Sequence, residues 1–386
     1  MFPKLRFKEF DENWKEVTLK NCITSIDSGW SPQCESYPAN SSEWGVLKTT
    51  SVDWSGFNSS FNKKLPLELT PRKEIEVKPL DILVTRAGPT ERVGVVSVVP
   101  HSVRSKLMIS DKLIRLKSNE ENNPLFLGIS LSSVKCQNQL QSKTSGLAKS
   151  QTNISQKILG EVLLKLPSKE EQTKIASFLS AVDEKISQLT KKHELLSQYK
   201  QGMMQKLFSQ QVRFKADDGS EFGEWDQLKF KDVIKIKYGK DHKKLDDGDI
   251  PVLGTGGVMR YVDSYLYEGE SILIGRKGTI DKPRFISGKF WTVDTLFYTE
   301  IGEKILPKFA FQQLLLVNWL NLNEATGVPS LNTTSIGNIE LKVPCLAEQT
   351  KIANVLSAID QKIEVVSKQI EQAKQWKKGL LQQMFI

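Results

Sequence analysis

Two short arginine-glycine turns hold the residues of this chain best suited to chemistry. LDILVTRAG (80–88) and ESILIGRKG (270–278) each end an apolar β run in Arg-x-Gly, pairing Arg86 with Arg276 and Gly88 with Gly278. A guanidinium on a turn offers a planar fork of donors, the group that reads base edges or grips phosphate. Folding alone does not require the same Arg-x-Gly twice. Around the first turn the further candidates are Arg92, then Lys48 and Thr49 after another β run, and the polar loop with Lys143, Thr144, Lys149, Ser150 and Gln151. Around the second they are Lys277, Arg260 and the loop residues Asn332, Thr333 and Thr334. Arg, Lys, Asn and Gln suit base edges, while Lys, Arg, Ser and Thr suit phosphate oxygens. The rival reading of any one of them is a solvated surface side chain.

The charge balance suits a polyanionic partner. Among 386 residues, 54 Lys+Arg stand against 45 Asp+Glu, a net +9 with a pI near 9.1. Each phosphate neutralised by such a residue releases a counterion. Other chemistries lack their residues. No Asn/Asp-Pro-Pro-aromatic tetrapeptide for adenine methylation occurs, and GTGG (254–257) reads as a hairpin turn rather than a cofactor cradle. There is no GxxxxGK[ST] phosphate loop and no Pro-Asp followed by Glu-x-Lys for a metal-dependent nuclease. His101, His193 and His242 have no metal spacing, and Cys22, Cys34, Cys136 and Cys345 form no CxxC pair. The expectation is a chain with no catalytic residue, no metal and no cofactor of its own. The start, MFPKLRFKEF, lacks a signal peptide's apolar stretch, and no apolar run reaches membrane-spanning length. A soluble, cytoplasmic protein is expected.

The elements that must position these turns occur twice. EQTKIA stands at 171–176 and again at 348–353, an offset of 177, and SFLSAVDEKI (177–186) is followed at that offset by NVLSAIDQKI (354–363). The starts correspond as well, LRFKEFDENWKEVTLKN (5–21) with VRFKADDGSEFGEWDQLKFKD (212–232), pairing Arg6 with Arg213 and Trp14 with Trp225. The interiors between these anchors have little in common. Shared ends with unlike interiors mean one architecture reading two different things.

Each repeat closes in a long heptad stripe without proline. Its seam positions are Leu179, Val182, Ile186, Leu189, His193, Leu196, Lys200, Met203 and Leu207, then Leu356, Ile359, Ile363, Val366, Ile370, Ala373, Lys377, Leu380 and Met384. Helices over 169–209 and 346–386 would each extend about 60 Å. A narrow apolar stripe needs a partner, and the natural one is the other helix, paired antiparallel about a pseudo-twofold axis. Lys200 and Lys377, at matching seam positions, read as register-setting or snorkelling side chains. Before each helix lie short β runs such as WGVLKTTSV (44–52), DILVTR (81–86) and SILIGR (271–276), broken by turn residues. The expected organisation is an α+β chain: a β-rich α/β domain over 1–168, a long helix, a second such domain over 210–345, and a second long helix.

A divergent domain, an EQxxI box and a long helix, all occurring twice, resemble the specificity subunits of type I restriction-modification systems. The carriers are KLPSKEEQTKIASFLSAVDEKI (165–186) and KVPCLAEQTKIANVLSAIDQKI (342–363), supported by the paired Arg-Phe…Trp starts. One departure is that LPSKEEQ and VPCLAEQ replace the family's more usual Pro-Leu-Pro-Pro run. The resemblance implies that each globular half is a target-recognition domain reading one half of a bipartite double-stranded DNA site, with the coiled coil as the ruler between them. It further implies two methyltransferase subunits docked on the helices and two motor-nuclease subunits, with AdoMet, ATP and Mg held by those partners.

Two rival readings stand beside this one, the recognition portion of a single-chain restriction-methylation enzyme and a coiled-coil scaffold joining two proteins. The absent AdoMet and nuclease motifs speak against the first, and the net charge of +9 and the unlike interiors against the second. If the helices pair with each other, Leu189→Asp together with Ile363→Asp separates the halves, seen as a loss of helical circular dichroism and a shift in gel filtration. No change in either measurement would refute paired helices.

Overall fold

The run ILVT at 82–85 is buried on both faces, and each half of the chain is built around a strand of that kind. In a computed structural model, which describes residues 3–144 and 152–385, Ile82–Thr85 lies inside a four-stranded antiparallel sheet. The order across it is Ile23–Ser28, Leu113–Ser118, Ile82–Thr85 and Val96–Val98. Successive side chains alternate between faces, so each face fills a different core. Ile82, Val84, Ile114 and Leu116 enter one with Phe126, Leu127 and Leu131. Leu83 and Leu113 enter the other with Val46, Leu47 and Leu107. A strand covered on both sides carries a continuous apolar run rather than an alternating one.

The second half repeats the sheet. Ile234–Tyr238, Leu296–Ile301, Tyr267–Gly275 and Arg284–Thr292 follow one another in the same antiparallel order. Ile272, Ile274 and Phe297 face one core, and Leu273, Leu296 and Tyr298 face another. The difference lies in what is inserted. The first half adds a separate three-stranded sheet centred on Gly45–Leu47. The second instead extends its own sheet with the hairpin Ile250–Gly254 and Gly257–Val262, joined through a parallel pairing to Arg284–Thr292.

The long helices run over Lys169–Phe208 and Leu346–Met384. The chain divides into two compact units, Met1–Gln188 with Ile370–Ile386, and Leu189–Gln369. These units are larger than the globular segments 1–168 and 210–345, because each takes in the beginning of one long helix and the end of the other. In the first unit Leu179 and Val182 share a core with Leu380 and Met384, and Phe178 meets Trp376 edge-on at 5.9 Å. In the second, Met203 and Leu207 pack with Ile352, Leu356, Ile359 and Ile363. The pairing is therefore antiparallel within each unit. Leu189 and Val366 are buried, and Ile186, Leu196 and Ile370 are half-buried. The seam lysines form ion pairs: Lys377 Nζ lies 2.5 Å from Asp183, and Lys200 Nζ 2.7 Å from Asp360. Asp360 repeats Asp183 just as Lys377 repeats Lys200, so the same contact is made once in each unit.

The EQ of each EQTKIA box knots the helix start to the globular part. Glu171, 1% exposed, accepts two 2.7 Å bonds from the Arg6 guanidinium and one of 3.3 Å from Trp14 Nε1. Glu348, 0% exposed, accepts 3.0 and 2.7 Å bonds from Arg213 and one of 3.1 Å from Trp225. Next to them, Gln172 accepts from Asn123 N and donates to Pro167 O, while Gln349 accepts from Leu306 N and donates to Pro344 O. A strand just before each helix, Leu163–Leu166 or Glu340–Val343, pairs with one just after the Trp, Lys15–Thr18 or Asp226–Lys229. The carboxylates hold both arginines above their usual pKa.

Removing a buried acceptor leaves its donors unsatisfied. Glu348→Ala is expected to cost the second unit about 2 kcal/mol, measured as earlier unfolding in urea. An unchanged midpoint would show that the knot contributes nothing.

Candidate nucleic-acid interface

Arg86 and Arg276 occupy the same place in the two sheets, one residue past the end of the doubly buried strand. Their backbones are held alike. Arg86 N donates to Lys112 O and its carbonyl accepts from Ile154 N at 3.0 Å. Arg276 N donates to Thr295 O and its carbonyl accepts from Leu331 N at 2.9 Å. The loop that clamps each turn then enters a short capped helix, Gln156–Gly160 behind Ser155 and Thr333–Gly337 behind Asn332. Gly88 and Gly278 have φ of 152° and 91°, a region that favours glycine. The glycine of Arg-x-Gly thus answers to backbone geometry, leaving the arginine as the residue whose chemistry the turn presents.

The side chains differ in freedom. The Arg86 guanidinium has no partner among the described residues, while Ala87 and Gly88 pair with Thr152 and Asn153. Arg92, expected as a contact, is engaged within the fold. It bonds Asp53 at 2.6 Å, Val52 O at 2.7 Å and Thr49 O at 3.3 Å, and together with Ser55 it holds the Asp53 carboxyl below its usual range, the Ser55 backbone bond acting most strongly. Lys48 and Thr49 flank that tie, half-buried. Lys143 lies 4.0 Å from Glu161, at the end of helix Gln156–Gly160, and Thr144 Oγ1 donates to Gln141 O at the end of helix Val134–Gln141. Lys149, Ser150 and Gln151 lie outside the described residues.

In the second unit, Lys277 is exposed and Thr334 is exposed on the first turns of its helix, with Thr333 half-buried before it. Asn332 is the helix cap, accepting from Ser335 N at 2.7 Å and bonding Glu324. Arg260 donates to Leu245 O and Asp247. Arg276 donates to Asp294 O at 3.1 Å and lies 5.4 Å from the Tyr238 ring centroid. Beside it opens a cleft of about 650 Å³ lined by Asp241, His242, Lys243, Thr255, Gly256 and Thr295. The GTGG turn closes the hairpin, as its sequence suggested, and its tip forms one wall. Sequence reasoning did not nominate this wall, although the basic run KDHKK (240–244) was available as a signal. Among the described residues no cluster of His, Cys, Asp and Glu suits a metal ion, and no helix is long and apolar enough to cross a membrane.

The geometry is a repeated presentation of one arginine at the loop end of a sheet, with different neighbours each time. Comparison with known proteins points the same way. A family profile described as "Type I restriction modification DNA specificity domain" matches residues 12–197 and 223–375. The EcoEI type I restriction enzyme specificity subunit of Escherichia coli is 40% identical over 171 residues, which is 44% of this chain but only 29% of that one. The MjaVIII type I restriction enzyme specificity subunit of Methanocaldococcus jannaschii is 28% identical over 356 residues, covering 80% of this chain and 79% of its own length. The fold is similar to that of the crystallised type I restriction-modification S subunit from M. genitalium, with a TM-score of 0.71 over 100% of this chain and 99% of that one, at 18% identity.

The contrast between the two first-unit arginines gives a direct expectation. Arg92→Ala lowers stability by about 1–2 kcal/mol, because Asp53 and two carbonyls lose their donor. Arg86→Ala stays within about 0.5 kcal/mol of the parent. Equal melting temperatures for the two variants would mean that the Arg92 tie is not structural.

Proposed function

The chain belongs to the type I restriction-modification DNA specificity family, and on that premise we propose that it is the sequence-reading subunit of a multisubunit restriction-modification enzyme. Each unit reads one part of a bipartite double-stranded site with the loops around its Arg-x-Gly turn. The chain performs no chemistry itself. Adenine methylation and restriction are carried out by two methyltransferase and two motor-nuclease subunits, which supply AdoMet, ATP and Mg, on DNA in the bacterial cytosol. The net charge of +9 favours that polyanion.

The observation that carries this reading is the repetition with substitution. The same four strands, the same arginine turn and the same EQ knot occur twice, while the inserted elements are a separate sheet in one unit and a hairpin in the other. A scaffold holding two copies of one partner would have no use for unlike interiors. Two readers of unlike half-sites need them, since specificity resides in the contacts that differ.

Co-expression of the chain with a methyltransferase subunit encoded beside it, followed by single-molecule mapping of modified adenines, tests the proposal. The expected result is a split motif with one methylated adenine in each part. Soluble, associated proteins that leave no new methylation would overturn it.

A further inference from the structure

The two arginine turns are equivalent in register but not in support. In the second unit, Phe297 pairs with Tyr238 on one side and Ile274 on the other, and Arg276 follows two residues after Ile274. In the first, Ile114 pairs with Ser28 and Val84, and Arg86 follows two residues after Val84. Tyr238 therefore occupies the position held by Ser28. Ser28 Oγ bonds Gln156 Nε2 at 2.8 Å, and no ring stands there for Arg86. Tyr238, by contrast, packs edge-on against the buried Phe297 ring at 5.1 Å and carries the Arg276 guanidinium on its own face. Asp294 O takes one of the arginine's donors, on Nη1. The order of support runs from core to Phe297 to Tyr238 to Arg276.

Half of the Tyr238 surface is exposed (51%), so the ring stands at the surface with the guanidinium over it. An arginine stacked on an aromatic face has little rotamer freedom left to lose, and its remaining donors still form a planar fork. That fork matches the O6 and N7 acceptors of guanine in the major groove. The same fork can also grip two phosphate oxygens, and the two contacts differ in that only the one to guanine carries sequence information.

We propose that Arg276 reads a guanine in the half-site taken by the second unit, and that Tyr238 is its positioning residue. This rests on the DNA-reading function proposed above.

The test uses the full chain with its methyltransferase subunit and compares methylation maps of the parent, Arg276→Lys, Tyr238→Leu and Tyr238→Phe. The part of the motif read by the first unit is an internal control for folding. Arg276→Lys, which keeps the charge and loses the fork, is expected to relax one G·C position by roughly tenfold or more while the other part of the motif stays intact. Tyr238→Leu is expected to relax the same position to a smaller degree, and Tyr238→Phe, which keeps the ring, to preserve it. A uniform fall in methylation with the motif unchanged in Arg276→Lys would make the contact a phosphate one and overturn the guanine assignment. Relaxation by Arg276→Lys with Tyr238→Leu like the parent would overturn the positioning role, as would equal relaxation by the Phe and Leu variants. If Arg276→Lys abolishes methylation of both parts, the comparison of the Tyr238→Phe and Tyr238→Leu maps decides: relaxation of one G·C position by Leu but not Phe supports the proposal, and maps like the parent's in both overturn it. A parent that yields no split motif at all refutes the functional reading instead.

Discussion

A carboxylate buried at the head of each long helix is the constraint on which the rest of the structure depends. Glu171 and Glu348 are taken almost completely out of water, which is unfavourable for a charge unless several donors replace its hydration. Arginine supplies a two-pronged bond and tryptophan a third, and both come from the opening residues of the same repeat. Each arginine also donates through Nη2 to a backbone carbonyl of the same opening segment, Glu12 O or Gly223 O, at 2.7 Å. Beginning and end of each repeat are thus locked, and the neighbouring glutamine ties the helix to the loop that precedes the first packed helix of the domain. Between these fixed points the four-stranded sheet recurs, and the elements inserted into it differ.

That difference has a defined place. In both units the doubly buried strand sends alternate side chains into two cores. One core is formed with helices, Phe126 and Leu131 in the first unit and Phe309 and Leu314 in the second. The opposite face is covered by whatever the interior supplies. In the first unit that is a separate small sheet. In the second it is a smaller cluster around Phe290 and Tyr298 beside the added hairpin. The helix-facing side conserves the frame and the other side changes with the insert. Arg86 and Arg276 sit where the strand leaves this sandwich, so a common backbone delivers the arginine into surroundings that differ.

Much of the frame was legible in the sequence because it depends on local periodicity. The heptad stripes placed the helices at 169–209 and 346–386, and they run over Lys169–Phe208 and Leu346–Met384. Duplication made the Arg-x-Gly turns visible for the same reason. What individual polar side chains do was not legible. Arg92 and Asn332 have the residue types expected at a nucleic-acid surface, but Arg92 is engaged by Asp53, 39 positions away, and Asn332 by its own helix start and Glu324. Tyr238 could not be linked to Arg276 without the strand register that brings them together. For Arg92 the partner is a tertiary neighbour outside any local window, whereas Asn332 is engaged by groups three and eight residues away.

The first unit is assembled from two stretches far apart in the chain. Phe385 lies against Phe126 at 5.3 Å and Trp14 at 6.4 Å, Leu5 N bonds Gln383 O, and Leu380 and Met384 sit inside the core. The second unit, Leu189–Gln369, is one continuous stretch with its Phe208 already in place against Phe309. Synthesis order and completion order are therefore reversed. A ribosome makes the first globular half early, but that half waits with an open aromatic socket until residues 370–386 emerge, whereas the second can close as soon as its own residues are out. During translation the exposed apolar surface of the early half is the stretch a chaperone would have to shield, and a truncated product would leave it permanently uncovered.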